Sequence, residues 1–136
     1  MATKKGGCFL INRETKQIAL IFRPKKNDYS FPKGHIEEGE NLKECAIRET
    51  IEETARDIKL IMEEPIYINK YTTPQGEDVE VYFYLAEDLG EYQGEIKEED
   101  KEISEWFDIK DVRNILSYDD LIEMWDEVLP IIETQI

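Results

Sequence analysis

The order of apolar and polar positions divides the chain into short strands, one amphipathic helix and a helical end. Residues 7–11 (GCFLI) and 17–23 (QIALIFR) are apolar runs of strand length, and NRETK between them predicts a hairpin. Residues 23–40 (RPKKNDYSFPKGHIEEGE) are rich in Pro, Gly, Asn and Asp and predict a long loop, a place where function often sits. The period then changes. Ala46, Ile47, Thr50, Ile51 and Thr54 recur on one side of a helix running from 42 to about 56. Asn41 can cap its start, with Glu44 three residues on completing a capping box. Further on, 58–62 and 66–71 read as strands around Pro65, TTPQGED as a turn, 79–87 (VEVYFYLAE) as a strong strand and 103–109 as a short one. Two helical stretches close the chain, 110–116 and roughly 118–134. In the second, Leu121, Met124, Trp125, Val128, Leu129 and Ile132 recur at helical spacing and read as core. This mixed order predicts an α/β or α+β sandwich.

Composition sharpens the picture. No repeat, low-complexity tract or linker divides the 136 residues, a length that suits a single domain over 1–136. Apolar residues at 40% and aromatics at 10% predict a folded globule even with 36% charged residues. Acidic residues outnumber basic ones by 32 to 17, a formal charge of −15, which disfavours general nucleic-acid binding. The same field repels a small anionic substrate unless bound cations reverse it locally. Cys8 and Cys45 stand outside any metal or disulfide spacing and read as two reduced thiols of a cytoplasmic protein. The longest apolar run, 18–22, is far short of a membrane span, and the start carries no signal-peptide pattern.

One local feature works against its own helix. RETIEET (48–54) places Glu49, Glu52 and Glu53 at spacings of three and four, on the side opposite the apolar residues and together with Arg56. Like charges so placed destabilise a helix by roughly 0.2–0.5 kcal/mol per pair. A solvated face, relieved by Arg48 and Arg56, accounts for three glutamates alone. A divalent cation accounts for them differently. Magnesium takes hard oxygen ligands, neutralises phosphate charge and lowers the pKa of a bound water. Gly34 upstream lets the backbone come close to such an ion.

The stretch GHIEEGENLKECAIRETIEETAR resembles the Nudix box, Gx5Ex7REUxEExGU with U apolar. Gly34, Glu40, Arg48, Glu49, Glu52 and Glu53 match in place over 23 residues. Three positions depart: Thr50 and Arg56 stand where apolar residues are expected, and Ala55 replaces the closing glycine. Either Ala55 adopts the left-handed cap, or the helix runs one residue further; Ile58 can supply the apolar anchor that Arg56 lacks.

The resemblance implies a Nudix-type α/β/α sandwich with a mixed sheet. It implies a hydrolase, dependent on Mg²⁺ or Mn²⁺, that cleaves a pyrophosphate bond in a nucleoside diphosphate linked to another moiety. Glu52, Glu53 and the Gly34 carbonyl would hold the metal, with Glu49 a further ligand or the base. Arg48 and Glu40 would brace the loop on the helix. The base sometimes lies on a later loop, where Glu98, Glu99 and Glu102 are available and Glu102 is favoured because it directly precedes an apolar segment. Arg23, Lys33 and His35 are candidates for substrate phosphates. Tyr71, Tyr82 and Tyr84 could stack on a base, although strand aromatics more often pack in a core.

FPKGHIEEGE looks like the same stretch in diadenosine tetraphosphate hydrolases, and Tyr71 falls about where that subgroup carries a tyrosine. These favour a dinucleoside polyphosphate or a (d)NTP derivative. Pro74 points instead to ADP-ribose. RNA 5′ ends, oxidised nucleotides, a non-catalytic nucleotide-binding regulator and an acidic interaction domain are the alternatives. The expected partner is a small-molecule nucleotide, with no membrane, for a monomer or homodimer.

Overall fold

The computed structural model describes residues 2–97 and 102–136. Eight strands make one sheet: β1 (Thr3–Asn12), β2 (Gln17–Arg23), β3 (Asp28–Ser30), β4 (Lys33–His35), β5 (Arg56–Leu60), β6 (Tyr67–Thr72), β7 (Asp78–Glu91) and β8 (Ile103–Asp108). The helices are α1 (Leu42–Thr54), α2 (Val112–Ile115) and α3 (Asp119–Glu133), with a 3₁₀ turn at Ile109–Asp111 leading into α2. The path β3-β2-β1-β7-β5 forms the sheet's backbone, β4 joins β1, β6 joins β7, and β8 joins β2. β1 and β7 run parallel from Thr3↔Val79 to Ile11↔Glu87, and the other pairs are antiparallel.

Period-two alternation builds both layers of the core. Cys8, Leu10, Ala19, Tyr84 and Ala86 face one way and meet Ala46 of α1. Phe9, Ile11, Ile18, Leu20, Val81, Phe83 and Leu85 face the other way, toward Val112 of α2 and Leu121, Met124, Trp125, Val128 and Ile132 of α3. The predicted core stripe of the last helix is therefore real apart from Leu129, which is only partly buried against it. Phe31 links the second layer, edge-on to Phe9 at 4.9 Å and stacked on Trp125 at 6.0 Å. Truncating one such buried aromatic typically costs about 3–5 kcal/mol.

Two glycines on β1 decide how close its neighbours come. A Cβ at Gly6 would stand 2.8 Å from both Ala46 N and Leu42 O, so α1 lies directly on the β1 backbone. A Cβ at Gly7 would stand 2.8 Å from the Lys33 Cβ and closer still to the Pro32 carbonyl, so β4 needs that space.

The helix over the acidic motif starts as expected. Asn41 accepts from the Glu44 backbone N–H, and the Glu44 side chain accepts from the Asn41 N–H, which is a complete capping box. It ends earlier than expected. Ala55 takes the left-handed conformation at φ 58° and ψ 30°, and its N–H donates to the Ile51 carbonyl. Arg56 consequently opens β5 and does not share a helix face with the glutamates. It forks onto Asp88 at 2.8 and 2.9 Å and lies over the Trp106 ring. Ile58 is buried with the α1 layer and supplies the apolar contact. The stretch at 23–40 also holds β3 and β4, each of three residues, too short to show a period and formed by pairing with β2 and β1.

Non-glycine residues in the left-handed region are strained by roughly 1–2 kcal/mol, and glycine relieves this at some expense in unfolded-chain entropy. Ala55→Gly is expected to stabilise the protein by about 0.5–1 kcal/mol. Thermal unfolding would show a melting temperature a few degrees higher; a lower one would contradict this account of the helix end.

Candidate active site

The site is built where α1 passes β4. Antiparallel pairing sets Lys5 opposite His35, Gly6 opposite Gly34 and Gly7 opposite Lys33. Strand alternation turns the Gly34 position toward α1 and the Lys33 and His35 side chains to the other face. A Cβ at Gly34 would overlap the Glu49 carboxylate, so the absence of a side chain is what admits that carboxylate. One turn along α1, Glu53 Oε1 accepts the backbone N–H of Lys33 at 2.8 Å. Glu49 and Glu53 thus converge on consecutive residues of β4.

Arg48 ties the third glutamate to this pair. Its Nη1 donates to Glu49 at 2.7 Å and to both Glu52 oxygens at 3.3 and 3.2 Å. Its other edge forks onto Glu40 at 2.6 and 2.9 Å and reaches the His35 carbonyl at 2.9 Å. One guanidinium therefore joins the loop, β4 and α1. Glu40 is held below the usual carboxylate range, chiefly by that Arg48 hydrogen bond. Arg48 and Glu52 also line a groove between α1 and the stretch at 92–96.

Burial pulls the other way on Glu49 and Glu53. Desolvation raises Glu49. It pushes Glu53 up to about 8 from the ordinary 4.5, with the charges of Glu49 and Glu102 adding to the effect and the Lys33 N–H opposing it. Glu102 is exposed, just before β8, and its charge is felt at Glu53. Glu98 and Glu99 lie outside the described residues.

The donor set fits a hard divalent cation by its chemistry. Glu49, Glu52, Glu53 and the Gly34 carbonyl are all oxygen ligands. Arg48 brings one positive charge to Glu37, Glu40, Glu49 and Glu52 together, which leaves a surplus of negative charge for a cation to neutralise. Among the described residues no three carboxylate, thiol or imidazole groups already stand at ligand spacing, and Arg48 Nη1 donates to both Glu49 and Glu52.

The cationic candidates separate. Lys33 and His35 share a face of β4. Arg23 is forked onto Asp28 at 2.6 and 2.8 Å, and buried Asp28 also accepts the Tyr118 hydroxyl at 2.6 Å. Sequence reasoning passed over Asp28 and Tyr118. The pairing of Arg23 with Asp28 across a tight turn could have suggested the first, but nothing local points to a residue 90 positions away. It also passed over the Cys45 thiol, 3.4 Å from the Gly34 carbonyl.

The three tyrosines do not form one platform. Tyr82 and Tyr84 lie with the α1 layer, and Tyr71 packs with the opposite layer. Tyr84 is 6% exposed, and the Tyr82 hydroxyl donates to Glu80.

With the geometry in place, the NUDIX domain model matches residues 3–126. MutT4 of Mycobacterium tuberculosis is 35% identical over 127 residues, which are 86% of this chain and 50% of that protein. The m7GpppN-mRNA hydrolase dcap-2 of Caenorhabditis elegans is 30% identical over 111 residues, 78% of this chain and 14% of that one. The chain spans half or less of the length of these relatives. The crystal structure of the C. elegans Ap4A hydrolase superposes with a TM-score of 0.75 at 20% identity, covering 97% of this chain and 99% of that one. The chain belongs to the NUDIX family, and the mixed sheet between helical layers is that family's fold. No helix among the described residues is long and apolar enough to cross a membrane.

Glu53 gives the site a pH signature. Between 4.5 and about 8 the folded chain holds a proton that the unfolded chain has lost, so this group makes stability fall as pH rises through that window. The melting temperature of the metal-free protein is expected to drop from acid toward pH 8 more in the wild type than in Glu53→Gln. Identical pH profiles for the two would contradict a desolvated Glu53.

Proposed function

We propose that the chain is a metal-dependent Nudix pyrophosphohydrolase acting on a nucleoside diphosphate linked to another moiety, with dinucleoside polyphosphates and (d)NTP derivatives as the favoured substrates. The observation that carries this reading is the convergence of Glu49 and Glu53 on the Gly34 and Lys33 backbone, with Glu52 joined to them through Arg48. Mg²⁺ or Mn²⁺, when bound, would neutralise phosphate charge and supply an acidified water. Glu52, Glu53 and the Gly34 carbonyl would hold the ion, and Glu49 would be a further ligand or take the water's proton. Glu102 is the alternative base, since its charge is felt at Glu53. Arg48 and Glu40 position the β4 loop. Lys33 and His35 would meet phosphate oxygens, with Arg23 held in place by Asp28. Tyr71, on the same sheet face as Lys33, is the tyrosine left for a base; the α1 layer takes Tyr82 and Tyr84.

A second reading has one observation behind it: the relative dcap-2 is named an mRNA hydrolase. The net charge of −15 repels a long phosphate backbone and favours a small nucleotide over an RNA end. ADP-ribose stays behind the polyphosphates because Pro74 is its sole pointer. A regulator that binds without cleaving has no use for Glu49 and Glu53 crowded on β4 with Glu52 tied to them through Arg48.

The test is a panel of dinucleoside polyphosphates, nucleoside triphosphates, ADP-ribose and capped RNA, assayed with Mg²⁺ or Mn²⁺. At least one small nucleotide should be hydrolysed, and chelator should abolish the activity. Glu53→Gln should lower kcat by about a hundredfold or more. Tight nucleotide binding without turnover of any compound would favour the regulator.

A further inference from the structure

Lys33, His35 and Arg23 do not exhaust the positive charge at this end of the sheet. Lys5 of β1 stands directly opposite His35, and Lys33, paired with Gly7, is its diagonal neighbour. Alternation turns all three side chains to the face away from α1, within reach of one another. Gly7 serves this arrangement, since any side chain there would occupy the space of the Lys33 stem and the Phe83 ring. Neither Lys5 nor Lys33 has an ion-pair partner among the described residues. Both are half-buried in a chain whose surplus charge is strongly negative.

Two adjacent, partly desolvated ammonium groups with no ion-pair partner among the described residues suit an anion. β4 then acts as a seam. On one side the Gly34 position abuts Glu49, and on the other Lys33, His35 and Lys5 form a cationic row.

We propose that Lys5 is a specificity-determining residue that, beside Lys33, receives the outer phosphates of a chain of three or more and so selects nucleoside polyphosphates over substrates bridged by two phosphates. This rests on the hydrolase reading of the adjoining carboxylates, and the experiment separates the two. The kcat/KM values for diadenosine tetraphosphate and for ADP-ribose are measured in the wild type, Lys5→Gln and Lys5→Arg. Lys5→Gln lowers the ratio of the first to the second about tenfold, the size of one charge-assisted contact, and Lys5→Arg restores it. An unchanged ratio, or no rescue by arginine, overturns the proposal and leaves the hydrolase reading standing. Calorimetric binding of inorganic tripolyphosphate and pyrophosphate supplies the second arm. Lys5→Gln weakens tripolyphosphate binding about tenfold more than pyrophosphate binding. Should the wild type cleave neither of these two nucleotides, this arm alone decides Lys5: equal effects on both anions overturn its role.

Discussion

Four carboxylates, Glu37, Glu40, Glu49 and Glu52, share the single guanidinium of Arg48, and Glu53 lies beside them on the Lys33 N–H. This imbalance organises the region. Exposed, the glutamates would each keep their water and cost the helix a few tenths of a kcal/mol per pair. Pressed against β4, Glu49 and Glu53 lose water and hold their protons more tightly. Arg48 satisfies Glu40 through a two-pronged contact and touches Glu49 and Glu52 with one nitrogen. The chain thereby keeps a cluster of oxygen donors together with less positive charge than they call for, and a divalent cation is what such a cluster lacks.

The fold exists at this spot because side chains are missing. Gly6 lets α1 settle onto β1, Gly7 makes room for Lys33, and Gly34 makes room for Glu49. β4 is only three residues long, yet its alternation divides anionic from cationic chemistry. The aromatic layer of Phe9, Phe31, Phe83 and Trp125 on the other side fixes the sheet from which β4 hangs.

Much of this could be read from residue order. The apolar runs within β1 and β2, the strong strand within β7, the capped helix, the stripe on α3 and the box with its six matching positions all pointed to the observed sandwich and family. What escaped has physical reasons. β3 and β4 are set by pairing, and three residues carry no period. Ala55 bends the chain into a conformation that its identity disfavours, so Arg56 left the helix for Asp88. Strand parity parted Tyr71 from Tyr82 and Tyr84, a distinction that depends on register and not on residue type. Arg23 was visible as a charge, while Tyr118, whose ring lies under its guanidinium and whose hydroxyl donates to Asp28, came from the far end of the chain.

The demand of this cluster for a hard cation is measured, without reference to any substrate, by Mn²⁺ titration followed by electron paramagnetic resonance. A saturable site is predicted in the wild type, weakened at least about tenfold in Glu52→Gln and in Glu53→Gln, since each removes a charged ligand. Binding that is absent, or present and indifferent to both substitutions, would contradict it.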